Sequence, residues 1–344
     1  MFGSDPPKTA VVNEELQAWT ARKMQEISIE RLQNHIHALL GPHTRFDSSS
    51  LILRAEQRIY DSLQDFGWSV EKQPFRFDNA IGALDYGDGY PVCFRKLEGV
   101  NIVGTKLGKD ARDALVVLAH YDTRRDTPGA DDNIASVAAL LELARILSSE
   151  TFRQTIILAA TDLEEVLSFG AKALVSRLTQ NFNLQGTINF ETMSFVDHRP
   201  HTQRPETSFG PMYRKQIHRM AAHDWAGDFT MIIYRGSSAK LAAAFAAGLE
   251  QTAGPDVHIL FRDPSDLPVM GGLLKKTLPF VRNFSRSDHV PFWDAKIPAI
   301  QVTDTANFRN PHYHKPTDLP ETLDYNCIAA IVGATACALR IVAG

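Results

Sequence analysis

The residues ALVVLAHYDT (114–123) decide the fold class of this chain of 344 residues. The first six are all apolar, which is typical of a strand that is covered on both faces of a sheet. Further strands are predicted at 155–160 (TIILAA), which is mostly apolar, and at 187–190 (TINF). Apolar residues at helical spacing lie between the strands, at about 133–149 and 171–178. Strands that alternate with helices predict a parallel sheet with crossover helices.

Further elements extend this pattern in both directions along the chain. The sequence predicts two helices within 27–66 with a loop at 41–43, and strands at 68–77, 100–105 and 299–303. We therefore expect an α/β fold: a mixed, mostly parallel central sheet flanked by helices on both faces.

The domain organisation is predicted from composition along the chain. Residues 1–26 are polar and irregular and are interpreted as an N-terminal arm, and 27–344 as a single domain. Residues 193–285 are loop-rich with proline and glycine clusters. We expect 193–285 to be an insertion that shapes a substrate pocket.

Charge and composition argue against several classes of partner. A formal net charge of −4 is unfavourable for binding nucleic acid or an anionic membrane. The longest apolar run, 327–339, is too short to span a bilayer and is interpreted as a buried helix.

The three cysteines form no C-x-x-C motif, and the N-terminus shows no signal peptide. A cytoplasmic location is expected, or secretion if a leader has been removed. Oligomeric state has no signal in the sequence.

Acidic and imidazole residues follow the predicted strands, where a parallel sheet gathers them at one edge. They are His120-x-Asp122, Asp132, the pair Glu164-Glu165, Glu191 and His314. Two divalent cations need several carboxylate or imidazole ligands, and one more carboxylate to move a proton. The pattern predicts a two-metal hydrolase. Nitrogen and oxygen ligands without cysteine favour zinc, with manganese or cobalt as substitutes.

Each of these residues also has an ordinary structural interpretation. His120 with Asp122 is consistent with a surface turn, and Asp132 with a helix N-cap, a role that Asp131 or Asn133 also fits. Adjacent glutamates are common on solvated helix faces. Behind a buried strand, however, an unpaired glutamate pair is unfavourable, whereas one ligand and one general base resolve the repulsion. Three ligand carboxylates and a bridging hydroxide would balance the four positive charges of two cations.

Several motifs, taken together, make the chain resemble the zinc aminopeptidase family that also contains glutamate carboxypeptidase and the glutaminyl cyclases. The resemblance covers roughly 27–344, and its motifs are LAHYDT, PGADDNIASVAALLELA, DLEEVLSFGAKAL, INFETM, RSDHVPFW, IPA, NPHYHKPTD and TLDY. Two departures are notable. Glu191 stands where many members have aspartate, and VLSFGA replaces a turn that is usually richer in glycine and serine.

The resemblance implies roles for individual residues. His120 and Glu191 would hold one zinc ion, Glu165 and His314 the other, and Asp132 would bridge them. Glu164 would be the general base. Tyr313 and Arg286 would polarise the scissile carbonyl and contact the substrate, while Asp288 would join Asp122 in the outer shell of the metals.

The expected activity is that of a metallo-aminopeptidase, which hydrolyses the N-terminal bond of peptides with a free N-terminus through a hydroxide bridging two zinc ions. The alternatives are a carboxypeptidase or amidohydrolase, a glutaminyl-cyclase-like enzyme with one zinc, and a non-catalytic relative. The first-residue preference has no readable signal. His35-x-His37, His198 and His201 are weaker metal candidates.

Overall fold

The computed structural model describes residues 7–46, 50–83, 91–204 and 212–344, and its centre is one eight-stranded sheet. In sequence, the strands are β1 (Ser69–Ala83), β2 (Pro91–Lys106), β3 (Asp110–His120), β4 (Gln154–Thr161), β5 (Asn183–Phe190), β6 (Thr230–Tyr234), β7 (His258–Arg262) and β8 (Ala299–Thr303). Their spatial order is β1-β2-β4-β3-β5-β8-β6-β7.

The four strands in the middle of the sheet are parallel to one another. β3 lies between β4 and β5 and is parallel to both, and β8 continues parallel beside β5. The pair β6–β7 is also parallel, whereas β1–β2, β2–β4 and β6–β8 are antiparallel. The expected mixed, mostly parallel sheet is confirmed. The carboxyl ends of four neighbouring strands, β4, β3, β5 and β8, therefore point to one edge.

Helices cover both faces of the sheet. They are α1 (Glu14–Glu26), α2 (Ile29–Leu39), α3 (Leu51–Asp65), α4 (Ala135–Ile146), α5 (Phe169–Asn181), α6 (Arg214–Ala222), α7 (Ala239–Ala253), α8 (Gly271–Thr277), α9 (His289–Asp294) and α10 (Tyr325–Ala343). Residues of α1 to α4, α7 and α10 pack on one face, and residues of α5, α6 and α9 pack on the other.

The apolar run of β3 supplies both cores because successive side chains of a strand point to opposite faces. Leu115 and Val117 join the core under α4 and α10, and Val116 and Leu118 join the core under α5 and α9. All four side chains are almost completely buried. The absence of alternation in ALVVLA is thus explained by burial on both sides.

Two expectations about irregular segments are wrong. Residues 14–26 form α1, whose N-cap Asn13 accepts the Leu16 N–H at 2.9 Å, and α1 packs on α10 and α7. Residues 193–285 are not mainly loop, because they contribute β6, β7 and α7 to the central sheet and its cover. The division into an arm, a single domain and a pocket insertion stays a prediction.

The expected buried C-terminal helix is confirmed by α10. This helix is long and apolar enough to span a membrane, yet 72% of its most apolar window is buried within the fold. It packs closely against α7. A Cβ atom at Gly248 would lie 2.4 Å from the Ala334 carbonyl oxygen, so the two backbones approach at a distance that only glycine permits.

Candidate metal centre

The strand-end residues meet at the carboxyl edge of the parallel strands. His120 is the last residue of β3, Glu191 follows β5 directly, and Glu164 with Glu165 follow β4 within a tight turn. Asp132 lies in the buried loop before α4, next to a cis peptide bond to Asn133, and His314 lies in the loop after β8. All of these side chains are largely buried, and the most exposed of them, that of Glu191, is 11% exposed.

Asp132 stands between two groups of potential ligands. Its Oδ1 lies 3.3 Å from His120 Nε2, which is also 3.3 Å from Glu191 Oε2. Its Oδ2 lies 3.0 Å from His314 Nε2, which is 3.6 Å from Glu165 Oε2. In each group, the three ligand atoms lie within 4.8 Å of one another. The arrangement has the form of two cation sites that share one carboxylate.

The unpaired atoms of this cluster fit a pair of divalent cations. Buried polar groups are normally hydrogen-bonded. His120 Nε2, Asp132 Oδ1 and Glu165 Oε1 are nevertheless buried without a hydrogen-bond partner among the described residues. Imidazole nitrogen and carboxylate oxygen are ligands that zinc accepts. A cation on each side of Asp132 would satisfy these atoms and offset the concentrated negative charge.

Asp122 organises both His120 and the glutamate pair. Its main-chain carbonyl oxygen lies 2.9 Å from Nδ1 of His120, and it accepts the Nδ1 proton when Nε2 is the free ring nitrogen. The Asp122 carboxylate, which the resemblance places in the outer shell of the metals, is farther from Nδ1, at 3.5 Å. The carboxylate instead accepts the N–H groups of Glu164 and Glu165, at 3.0 and 3.1 Å. Asp122 therefore fixes the tautomer of one ligand and the position of the turn.

Glu164 belongs to neither ligand group, but it lies close enough to His120 and Glu191 of one group and to Glu165 of the other for their charges to act on it. It is 4% exposed, and its Oε1 has no hydrogen-bond partner among the described residues. Burial and the charge of Glu191 raise the pKa of Glu164 well above its ordinary value. Burial and the charge of Asp132 do the same for the pKa of Glu165. For Asp132, burial raises the pKa, but the nearby imidazoles of His120 and His314 outweigh it and lower the net value.

A relay of side chains orients Glu191. Ser287 donates its hydroxyl hydrogen to Glu191 Oε2 at 2.7 Å, and Asn189 of β5 donates to the Ser287 oxygen at 2.8 Å. Asp288, the next residue, is fully buried and accepts from the Thr161 hydroxyl. Burial raises the pKa of Asp288 to about 6. The sequence argument missed Ser287, although it lies in the RSDH motif.

Carboxylates that sequence reasoning missed hold the loop of Asp132. Asp318 accepts the N–H groups of Asp131 and Asp132, at 2.9 and 3.2 Å. Asp131 in turn accepts from the Ser194 N–H at 3.0 Å and from the Asn310 side chain at 2.7 Å. Neither Asp131 nor Asn133 caps α4, which has no side-chain cap. Asp318 ends the motif NPHYHKPTD, but its partners are main-chain groups that no spacing rule reveals.

Tyr313 and Arg286 lie together at the rim of the cluster. The Tyr313 ring stacks on the His314 imidazole with centroids 3.7 Å apart. Arg286 donates to the Tyr313 hydroxyl at 3.4 Å and to the Asn307 side chain at 3.0 Å. Burial raises the pKa of Tyr313 well above its ordinary value, so this hydroxyl remains a hydrogen-bond donor.

Two clefts border the cluster next to different ligands. The first, with about 740 Å³ of empty volume, is bordered by Glu191, Arg286 and Tyr313. Its walls are mainly apolar and include Met220, Met231, Ile233, Phe261 and Phe284. The second, with about 490 Å³, is bordered by Glu165, Asp122 and a group of arginines. We name them the apolar cleft and the arginine cleft.

The weaker histidine candidates join no metal site in the described part of the chain. His35 is buried in α2 among α3 and α4 residues, and burial lowers its pKa to about 4. His37, His198 and His201 are exposed. Among residues 7–46, 50–83, 91–204 and 212–344, only the two groups around Asp132 bring three potential ligands together.

The chain is similar to known proteins. Relatives include an uncharacterized protein of Escherichia coli strain K12, 28% identical over 63% of this chain and 64% of its own length. A probable zinc metalloprotease of Leptosphaeria maculans is 29% identical over 67% of this chain and 54% of its own length. The chain thus spans between about half and two thirds of the length of these relatives.

Solved structures share the fold at low sequence identity. An aminopeptidase from Aneurinibacillus sp. strain AM-1 matches with a TM-score of 0.64 and 15% identity, over 92% of this chain and 95% of that one. A Porphyromonas gingivalis glutaminyl cyclase matches with a TM-score of 0.61 and 16% identity, over 91% and 98%.

The sequence model of peptidase family M28 matches residues 101–227 and 268–338, which is more than half of the chain. It leaves out residues 228–267, where β6, α7 and β7 lie. The matched ranges contain all five residues of the two ligand groups and Glu164. The chain belongs to peptidase family M28.

Proposed function

We propose that this chain is a metallo-aminopeptidase that hydrolyses the N-terminal bond of peptides with the help of two zinc ions. The proposal is carried by one observation: a buried carboxylate, Glu164, lies beside two ligand groups that share Asp132 but is not part of them. His120 and Glu191 would hold one ion, Glu165 and His314 the other, and Asp132 both. A two-metal hydrolase needs these ligands and one separate proton acceptor.

Zinc bound there would act as a Lewis acid that polarises the scissile carbonyl and makes a water molecule acidic enough to attack at neutral pH. Glu164 accepts the proton of the attacking water and passes it to the leaving amine. The turn that carries Glu164 is held by the Asp122 carboxylate at 3.0 Å. A fixed position matters because proton transfer requires hydrogen-bond distance between the base and the water.

Tyr313 and Arg286 would stabilise the negative charge that develops on the carbonyl oxygen. Both groups are hydrogen-bond donors at the border of the apolar cleft, and Arg286 donates to the Tyr313 hydroxyl. Donors aimed at a developing oxyanion lower the barrier of acyl transfer. Stacking of Tyr313 on His314 ties this donor to the metal centre.

The apolar cleft supports cleavage after the first residue. Glu191 borders it, and Met231, Ile233 and Phe261 from β6 and β7 form part of its wall. A cleft with apolar walls and a bordering carboxylate suits a first residue that has an apolar side chain and a free α-amino group. We propose that residues 193–285 supply part of the substrate pocket, within the single domain proposed for 27–344.

A panel of substrates tests the proposal. Leucyl and phenylalanyl fluorogenic amides should be hydrolysed, while the same compounds with an acetylated amine should not. A chelator should abolish the activity, and zinc should restore it. Cleavage of N-blocked or C-terminal substrates only would overturn the aminopeptidase proposal, and activity that a chelator leaves unchanged would overturn the metal-dependent mechanism.

A further inference from the structure

One side-chain amide in the wall of the apolar cleft has an oxygen without a partner. Gln301 lies on β8 and borders this cleft. It is 5% exposed, and its Oε1 is buried with no hydrogen-bond partner among the described residues. Buried polar atoms are normally hydrogen-bonded, and a buried acceptor without a partner is unfavourable. A ligand that donates a hydrogen bond to this oxygen would therefore be stabilised in the cleft.

Neighbouring polar side chains along this wall are already paired. The Thr303 hydroxyl oxygen accepts the Thr305 N–H at 3.0 Å. The amide of Gln203 donates to the Thr305 hydroxyl at 3.0 Å, and its oxygen accepts from Arg309 at 2.9 Å. These groups border the cleft or lie behind it, but their hydrogen bonds are made within the protein. Gln301 differs from them because its oxygen is left for a ligand.

The sheet fixes the position of Gln301 relative to the metal centre. β6 runs antiparallel to β8, with Ile233 opposite Gln301 and Met231 opposite Thr303. Opposite residues share a face of the sheet, and all four border the cleft. Thr303 is the last residue of β8, at the edge where Glu191 follows β5. Gln301 lies two residues back from that edge, about 6.6 Å along the strand. Only a long side chain would reach it from a backbone held at the metal centre.

We propose that Gln301 binds the phenolic hydroxyl of an N-terminal tyrosine and makes tyrosine the preferred first residue. This inference rests on the proposed function. Tyrosine combines a long apolar ring with a polar tip. Ile233, opposite Gln301, and Phe261, opposite Ile233 on β7, supply apolar walls for the ring. The hydroxyl both donates and accepts, so it can pair with either end of the Gln301 amide.

Phenylalanine would fill the same space but leave the Gln301 oxygen unpaired and shielded from water. A site that hydrogen-bonds a substrate hydroxyl discriminates against the analogue that lacks it. We expect the zinc-loaded protein to hydrolyse tyrosyl amide about 10-fold faster in kcat/KM than phenylalanyl amide. The para-methylphenylalanyl amide separates hydrogen bonding from size, because a methyl group occupies the place of the hydroxyl. It should be hydrolysed no faster than phenylalanyl amide.

The variant Gln301→Met tests the role of the amide, because methionine is apolar and of similar length. It should bring the ratio of tyrosyl to phenylalanyl hydrolysis down to about one. The matched control is Gln185→Met, at an exposed glutamine near the start of β5 and outside the cleft lining, which should leave the ratio unchanged. Zinc content and urea unfolding show whether each variant is folded.

Binding provides a second readout that does not require turnover. Calorimetry with tyrosine hydroxamate and phenylalanine hydroxamate should show tighter binding of the tyrosine compound to the zinc-loaded protein. The difference in affinity should disappear in Gln301→Met and remain in Gln185→Met.

The outcomes separate this inference from the proposed function. Equal kcat/KM for tyrosyl and phenylalanyl amides, or a para-methylphenylalanyl amide that matches the tyrosyl one, would overturn it while leaving the aminopeptidase proposal standing. A tyrosine preference that survives in folded Gln301→Met would also overturn it. If Gln301→Met does not fold, the three amides and two hydroxamates decide the question on the unmodified protein. If no amide is hydrolysed, the proposed function fails, and the hydroxamates alone decide whether Gln301 selects the hydroxyl.

Discussion

The carboxylate of Asp318 accepts a hydrogen bond from the main-chain N–H of Asp132, at 3.2 Å. Its other oxygen accepts the N–H of the preceding residue, at 2.9 Å. Asp318 lies only four residues after His314, so one short loop carries a proposed ligand and also holds the loop of the shared carboxylate. Such outer partners hold ligands in the geometry that a metal requires.

Replacing Asp318 with asparagine should weaken zinc binding. An amide presents one acceptor and one donor, so one of the two N–H groups would face an N–H group and Asp132 would shift. We expect a loss of about 10- to 100-fold in zinc affinity, measured by competition with a chromophoric chelator. Glu321→Gln, an exposed change three residues along, is the control and should bind zinc as the unmodified chain does. Unchanged affinity in Asp318→Asn would contradict the role of this hydrogen bond.

Replacing Glu164 with glutamine should stop turnover while zinc content stays near normal. Glutamine keeps the size of the side chain but cannot accept the proton. We therefore expect kcat to fall by about 10²- to 10⁴-fold. Zinc content by elemental analysis separates this role from that of its neighbour. Glu165→Gln removes a proposed ligand and should lower zinc content as well as activity. Loss of zinc in Glu164→Gln would mean that Glu164 is a ligand.

The apolar cleft should make the enzyme prefer large apolar first residues. Leucine buries about three more carbon groups than alanine, worth about 2 kcal/mol or about 30-fold in kcat/KM. Met231→Trp would fill part of the cleft and should reduce the ratio of leucyl to alanyl hydrolysis. Met270→Trp, at an exposed methionine outside the cleft lining, should leave the ratio unchanged. Equal rates for leucyl and alanyl amides in the unmodified enzyme would show that another surface sets specificity.

The sequence was sufficient to predict which side chains meet at the sheet edge. His120 ends β3, Glu191 follows β5 and the glutamate pair follows β4. Parallel strands bring such positions together at any separation along the chain. Their binding of zinc stays a prediction. Ser287 and Asp318 were not predicted, because they act on a carboxylate and on main-chain N–H groups that only the folded chain brings near them.

The elements that were missed share a physical cause. β6 joins the sheet through antiparallel pairing with β8, about seventy residues later in the chain, and local patterns carry no information on such pairing. The helix α1 is rich in charged and polar residues, and only Trp19, Thr20 and Lys23 are buried. We attribute its stability to packing on α10. An apolar stripe this narrow does not reveal that packing in the sequence.

The stability of the fold should fall in mild acid because of His35. Burial, helped by the charge of Arg58, lowers the pKa of His35 from 6.5 to about 4. As the pH drops below 6.5, the unfolded chain takes up the proton and the folded chain does not, so stability is lost down to about pH 4. The loss from this group is at most about 3 kcal/mol. Urea unfolding at several pH values gives the free energy of unfolding as a function of pH. Between pH 6.5 and 4, this free energy should fall less steeply in His35→Leu than in the unmodified chain. His37→Leu, two residues along and exposed, is the control. If the free energy of unfolding depends on pH equally in all three proteins, His35 is not the origin of the acid sensitivity.

The helix α1 should contribute to stability, contrary to its interpretation as an arm. Trp19 is 8% exposed, and its indole N–H donates to Glu150 at 3.2 Å, while Lys23 forms an ion pair with Glu150 at 2.7 Å. Trp19→Ala removes a large buried side chain and leaves a cavity, so the free energy of unfolding should fall by about 3 kcal/mol in urea denaturation. Leu53→Ala, at a leucine that is 55% exposed on α3, should change it by less than about 0.5 kcal/mol. If Trp19→Ala unfolds at the same urea concentration as the unmodified chain, the packing of α1 contributes little to the stability of the domain, as expected of an arm.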